Sequence, residues 1–396
     1  MATGLITDPM TLQEALYSSA IKPGHYIYLR EGTYTGEFIS TLLGSSSKNI
    51  TIQPYENETV IIDGSFSMSA GYVKLKKLHI KNSSFTVRTT LFEGSTPEDL
   101  DTTPLIRNNY SNFVYEDCIL ENAGNGFYKG STATNVVIDG CVIFHVGWVA
   151  PDRPHGHGIY CTGQNTTVKN CICFSNFEFG IKVYDEGGID RPIHNCTIEN
   201  NIAFNNSVVG GSVRTRGDIM FGHASDIEIT GATMKGNCTF QTAANMGTDD
   251  YGGNTNHIGY VSTFTNAILQ DNYFPNRLKK VATNTYAIDT GNVLEPEETN
   301  KTVIIPVRNK LHVAIYNWEG LDSVDVDVSS LLDVGDGYNL INVQDYFVDI
   351  ATGTAGATQI ITVDMRAISH TVAAPQGIDA PPTTFPTFGC FVVEKT

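Results

Sequence analysis

The chain has 396 residues, and its 25 Lys plus Arg stand against 42 Asp plus Glu, a net charge of −17. That balance excludes a general nucleic-acid binder, which needs a basic face for phosphate, and disfavours docking on an anionic membrane. No apolar run reaches the roughly 18 residues of a membrane-spanning helix. The 17% charged and 10% aromatic content is that of a folded chain, not a disordered one.

In chain order, Met1-Ala2-Thr3-Gly4-Leu5-Ile6 shows neither a basic region nor an apolar core, so no signal peptide is visible. Thr11-Leu12-Gln13-Glu14 is a capping box that opens a short helix, Leu12 to about Ser19. Such a helix is expected to cover the open end of a solenoid. Tyr26-Ile27-Tyr28-Leu29 alternates as a first strand. A short phrase then recurs: an aliphatic or aromatic residue, two polar or small residues, then Cys or Asn. Tyr115-Glu116-Asp117-Cys118, Ile138-Asp139-Gly140-Cys141, Val168-Lys169-Asn170-Cys171, Ile198-Glu199-Asn200-Asn201 and Leu269-Gln270-Asp271-Asn272 carry it. Ile52, Leu75 and Ile229 open weaker copies. The steps between first residues are 23, 40, 23, 30, 30, 31 and 40. Brief strands between Asn and Gly turns at that period define a parallel β-helix. The longer steps hold loops inserted on a coil, which usually build the binding face. Asn suits the turns because it tolerates left-handed backbone and can stack as a ladder.

The eight cysteines are too sparse for a disulfide scaffold and read as buried free thiols. Composition shifts at the acidic segment Leu294-Glu295-Pro296-Glu297-Glu298. Six strand-like stretches follow, from Thr302 to Val393. The expected organisation is an all-β chain: a β-helix over 1–296 and a small antiparallel β-sandwich over 297–396.

The coil phrases, the N-terminal cap and His155-Gly156-His157-Gly158-Ile159-Tyr160 together resemble the pectin-lyase-like right-handed β-helix superfamily. The C-terminal part is similar to the accessory β-sandwich of many carbohydrate-active enzymes. The resemblance implies a polysaccharide partner and an extracellular or virion-associated protein. It implies a monomer, or a trimer if the chain is tailspike-like. It leaves open lyase, hydrolase, epimerase and tailspike depolymerase, because fold alone does not choose a reaction.

Aligning the coils sends Ile159, Ile181, Ile219 and Ile258 inward and Tyr160, Lys182, Met220 and Gly259 outward. The column before holds Gly158, Gly180, Asp218 and His257. Adjacent coils lie ~4.8 Å apart, so Tyr160, Lys182 and Asp218 are expected in one patch. Nearby loops add Arg153, His155, His157, Arg214, Arg216 and His223. β-Elimination from a uronate needs a base, a carboxylate clamp and an acid for the leaving oxygen. Lys182 fits the base. Tyr160 or His157 fits the acid. Arg153, Arg214 and Arg216 fit the clamp. His155, His223, His257, Trp148 and Tyr184 are candidate substrate contacts, the aromatic rings as stacking faces. Hydrolysis would need two carboxylates, which Asp218 with Asp185 or Glu186 could supply. Gly156-His157-Gly158 resembles the Gly-His-Gly of polygalacturonases, but their acid pair is missing at Asn125-Gly126-Phe127-Tyr128-Lys129. The only Asp-Asp, Asp249-Asp250, lies downstream. No cofactor is required, although Asp185 and Glu186, with Asp190, offer hard oxygens for calcium. A non-catalytic glycan binder remains the alternative from a different class.

Overall fold

The recurring phrase is one corner of a coil. The computed structural model describes residues 4–5, 7–209, 217–242, 256–275 and 278–396. The phrase's first residue pairs with its counterpart one coil on: Ile52 with Leu75, Leu75 with Tyr115, Tyr115 with Ile138, Ile138 with Val168, and Val168 with Ile198. Its third residue takes left-handed backbone, as at Asp117 (φ +54°), Asn170 (+55°), Asn200 (+53°) and Asp271 (+54°). Asn and Asp visit that region more readily than other side chains with a Cβ. Its fourth residue then turns into the core. Cys118, Cys141 and Cys171 fill that position first, and all eight cysteines are free and buried. Beyond them Asn201, Asn237, Asn272 and Asn292 form a ladder. Each Nδ2 donates to the side-chain oxygen of the next, at 2.9, 3.0 and 2.8 Å.

One expected copy is misplaced. Ile198 pairs with Met234, and Met234 with Leu269, so Met234-Lys235-Gly236-Asn237 is the true corner. Ile229 pairs instead with Phe264 in a separate two-stranded patch. Both stretches place a left-handed glycine third, Gly231 (φ +68°) and Gly236 (φ +63°). Only the second follows it with the Asn that the ladder requires.

Three parallel walls result. The first runs from Tyr26–Leu29 to Tyr286–Thr290 as ten strands among the described residues. The second contains His79–Lys81, Ile119–Ala123, Val142–Val146, Ile172–Phe174, Ile202–Phe204 and Cys238–Phe240. The third contains Pro104–Asn108, Asn125–Lys129, Ile159–Cys161, Ile181–Asp185, Ile219–His223, Asn256–Tyr260 and Leu278–Lys280. The long strand Val60–Met68 pairs with both His79–Lys81 and Pro104–Asn108 and joins the last two walls. The helix Leu12–Tyr17 begins at the expected capping box and buries Leu12, Ala15 and Leu16 in the core that fills the coils.

After residue 300 a five-stranded antiparallel sheet runs in the order Lys301–Val307, Lys310–Tyr316, Phe388–Lys395, Gly337–Asn342, Ile350–Thr354. Its last strand was not foreseen, because Ala351-Thr352-Gly353-Thr354 is short, small and exposed. One face packs on the second wall, where Phe144, Phe174 and Phe204 stack at 4.9 and 5.1 Å and meet Ile305, Tyr316, Phe388 and Val392. The other face is covered by the ribbon Ser323–Asp327 with Ile360–Asp364. Charge fastens the junction: the Arg308 guanidinium binds Asp117 at 2.6 Å and Asp139 at 2.9 Å.

The ladder makes a stability prediction. Asn237→Ala removes the acceptor of two buried donors, the Asn201 backbone N–H (3.1 Å) and Nδ2 (2.9 Å). Each orphaned donor costs about 1–3 kcal/mol. The urea midpoint followed by circular dichroism is expected to fall accordingly, and an unchanged midpoint would show that the ladder contributes nothing.

Candidate active site

The third wall presents one continuous outward column. Ser67, Arg107, Tyr128, Tyr160, Lys182, Met220, His257 and Lys279 pair in register from coil to coil. The expected alignment holds from Tyr160 to Met220 and then slips by two, so His257 replaces Gly259 in the column. Asn256, not Ile258, takes the place beside Ile219. A two-residue slip preserves the inward–outward alternation, so hydrophobic pattern could not have revealed it.

A cleft of about 380 Å³ opens over this column, lined by Arg107, Tyr128, His155, His157, Tyr160, Asp185, Glu186 and Arg191 among others. Its far rim, with Ser95, Thr96 and Thr102, belongs to the loop inserted in the 40-residue step from Leu75 to Tyr115. That loop is tied to the Trp148–His155 ribbon through Val149 N–H to Arg88 O (2.8 Å), Thr90 N–H to Val149 O (3.1 Å) and Gly94 N–H to Asp152 Oδ1 (3.1 Å).

Lys182 sits beneath the cleft and is 9% exposed. Its Nζ lies 5.0 Å from the centre of the Tyr160 ring, 4.7 Å from Tyr184 and 5.8 Å from Phe179, and 3.3 Å from His157 Nε2. His157 Nδ1 accepts the Phe179 N–H at 3.3 Å, which puts the single proton of the neutral ring on Nε2. Burial holds His157 well below its ordinary value and outweighs the opposing effect of Glu178. The Glu178 carboxylate is 3.3 Å from His157 Nε2 and 2.6 Å from Arg153 Nη1. A chain Lys182–His157–Glu178–Arg153 therefore lies under the cleft. Tyr160 is pushed up by burial and stays a protonated phenol.

Gly-His-Gly has a steric reason in this chain. Gly156 has φ +95°, and a Cβ at Gly158 would stand 2.6 Å from the Gly180 carbonyl oxygen. Glycine on both sides lets successive coils approach while His157 faces Lys182.

The structure thus brings together Lys182, Tyr160, His157 and Arg153 and corrects other expectations. Asp218 is fully buried and points into the core. Its Oδ1 accepts from Asn206 Nδ2 (2.9 Å) and Gln241 Nε2 (3.0 Å), so it terminates a second ladder, Asn176–Asn206–Asp218, and shares no patch with Lys182. Trp148 is 1% exposed and stacks on His155 at 5.3 Å; it supports that histidine rather than offering a sugar platform. His155 also meets Asp152 at 3.2 Å. Tyr184 walls Lys182. His223 is buried, its Nδ1 accepting from Ser225 N–H at 2.9 Å. His257 is buried beside Phe179, with centroids 6.3 Å apart. Arg153 is engaged with Glu178, which leaves Arg107 as the cleft arginine that meets no carboxylate among the described residues; it lies over the Tyr128 ring at 5.6 Å. Arg214, Arg216 and the Asp249-Asp250 pair lie outside the described residues. Asp185 accepts from Gly187 N–H at 2.8 Å and from Arg191 at 3.0 Å. Among the described residues no group of three His, Cys, Asp or Glu converges as metal ligands.

Sequence reasoning missed Glu178, Arg107 and Tyr128. Glu178 had a usable signal, a carboxylate between two aromatics in Phe177-Glu178-Phe179. The other two lay one and two coils upstream in phase with Tyr160.

Residues 40–234 match the family model described as right handed beta helix region. Together with the coil register, the match identifies the fold as a right-handed parallel β-helix. The solved structure of pectate lyase Pel9A is 16% identical, with a TM-score of 0.45, covering 73% of this chain and 75% of its own. A lacto-N-biosidase from Eubacterium ramulus is 11% identical with a TM-score of 0.40, covering 75% and 65% respectively. An alginate lyase from Paenibacillus sp. str. FPU-7 is 17% identical with a TM-score of 0.35, covering 69% and 96%. A search of curated protein sequences finds no match.

Buried histidines give the protein an acid-sensitive stability. Burial depresses His145 to about 3 and holds His157 and His312 well below 6.5, so all three fold as neutral rings. The unfolded chain takes up those protons once pH drops below about 6.5, and stability falls with them. Asp218, held protonated by burial, acts in the opposite sense, leaving a net effect of about two histidines. Between about pH 6.5 and about pH 5 the loss is expected to exceed roughly 1 kcal/mol per pH unit. Thermal unfolding midpoints at both ends of that range check it, and a flat profile would contradict the neutral assignment.

Proposed function

We propose that this protein cleaves an acidic, uronate-containing polysaccharide by β-elimination in the cleft over Arg107, Tyr128, Tyr160 and Lys182. The observation that carries the reading is the placement of Lys182 Nζ, 3.3 Å from His157 Nε2 and walled by three aromatic rings. A neutral His157 with its proton on Nε2 donates toward Lys182 only when the lysine is an amine, and the amine is the form a base needs. Arg107 faces the cleft from Tyr128 and suits a substrate carboxylate, with the planar fork that such a group accepts. The Tyr160 phenol, kept protonated by burial, suits the leaving oxygen.

In this scheme the Lys182 amine takes the proton α to the uronate carboxyl. The electron pair left behind forms a carbon–carbon double bond as the β C–O bond breaks. The departing oxygen takes the Tyr160 proton. Arg107 balances the charge that builds on the carboxylate. His157 holds Lys182 in place, and Glu178 with Arg153 holds His157. Hydrolysis is less well supported, because its proposed pair loses Asp218 to the core.

Incubation with pectate, alginate and glycosaminoglycans is expected to give an ultraviolet-absorbing unsaturated uronate on at least one of them. Reducing ends without that chromophore would replace elimination by hydrolysis. Lys182→Ala is expected to lower kcat by about 10²–10⁴-fold with an unchanged circular dichroism spectrum. Turnover equal to the parent's would remove Lys182 from the mechanism.

A further inference from the structure

The N-terminal end of the first wall carries a feature that the cleft does not use. Tyr26 and Tyr28 project from the same face of the terminal strand Tyr26–Leu29 and are 57% and 49% exposed. Their rings are 5.8 Å apart with planes only 11° from parallel. Tyr55 meets Tyr28 edge-on at 5.7 Å, and Arg30, paired with Glu58 at 2.7 Å, lies over Tyr55 at 5.3 Å. The underlying ring is thereby fixed, so the two outer rings rest on an ordered neighbour.

Beside Tyr26 lies an open hollow of about 630 Å³, whose lining includes His25, Tyr26, Lys48, Asn49, Thr51 and Lys74, with no carboxylate among its described residues. Lys74 is bound to Glu116 at 2.9 Å, whereas Lys48 is exposed and meets no carboxylate among the described residues. On a chain of net charge −17, a hollow whose lining holds two lysines and no carboxylate among the described residues is locally complementary to an anion. Near-parallel exposed tyrosines offer flat faces to the C–H sides of sugar rings, and their hydroxyls remain free to bond sugar hydroxyls.

We infer that Tyr26, Tyr28 and Lys48 form a second, non-catalytic binding site for an acidic polysaccharide. It is distinct from the cleft. The coil that carries Lys182 follows the first-wall strand Thr166–Lys169, five strands along from Tyr26–Leu29. At ~4.8 Å per strand that is about 24 Å along the axis, and on another wall. The acidity of the ligand rests on the function proposed above; the stacking face does not. A long polymer would be held at both places, raising its effective concentration at the cleft.

The test is affinity electrophoresis of the full chain in gels containing alginate or pectate. It is run on the Lys182→Ala background, so that retention is read without turnover and a failure of the proposed chemistry leaves it intact. The combination Tyr26→Ala, Tyr28→Ala and Lys48→Glu is expected to weaken retention roughly tenfold, the loss of two ring contacts and one charge. All three residues are exposed, so thermal unfolding should not move. In active protein the same changes should raise KM for long polymer while sparing short oligosaccharides. Unaltered retention would overturn the inference, as would equal retention by a neutral glucan. So would a concentration-dependent dimer that the tyrosine substitutions abolish, because a second copy would then cover the face.

Discussion

The corner of the coil governs this structure. A left-handed residue turns the chain between walls, and the residue after it delivers a thiol or an amide into the core. Backbone hydrogen bonds between coils do not by themselves fix which residue lies above which, since parallel strands can slide. An amide that must both donate to one neighbour and accept from another can bond only at one register. The ladder Asn201–Asn237–Asn272–Asn292 and its shorter companion Asn176–Asn206–Asp218 therefore set the phase of the coils from Asn176 onward, including the one that carries Lys182. Lys182 in turn pairs in register with Tyr160 one coil earlier.

This explains what could be read in advance. The fold was legible because its constraint is local and repeats: four consecutive residues carry a corner, and several copies obey it. The helix cap at Thr11 was legible for the same reason, with both partners of the capping box three residues apart. The site was only partly legible. Tyr160 and Lys182 followed from period-two alternation, and His157 from the polar loop that precedes Tyr160. Asp218 did not, because the strand it precedes begins at Ile219 and the turn, not the pleat, decides where its side chain points. Glu178 showed in the sequence only as a carboxylate between Phe177 and Phe179; its role comes from pairing with Arg153 across 25 residues, a relation no spacing rule encodes.

The cleft shows how an acidic chain arranges a basic centre. Lys182 is walled by three rings, and Arg153 is paired with Glu178 at a point set back from Lys182. Arg107 is left to face the cleft from its aromatic seat on Tyr128. The net charge of the chain is thus a poor guide to the field at one place on its surface.

The C-terminal sheet changes how the solenoid behaves as a physical object. Stacked coils on their own form a nearly one-dimensional system, in which each coil feels only its two neighbours and fraying can begin at either end. Here the C-terminal part grips coils far apart in the stack: Arg308, in the first hairpin turn of the sheet, reaches Asp117 and Asp139, the carbonyl of Gln376, in the segment before the strand Phe388–Lys395, receives the Arg88 Nε–H, and the Tyr316 hydroxyl reaches the Thr239 carbonyl at 2.9 Å. Opening any one of those coils requires the sheet to lift from the others. The chain of nearest-neighbour springs becomes a braced beam, and melting becomes a property of the whole length rather than of its weakest end.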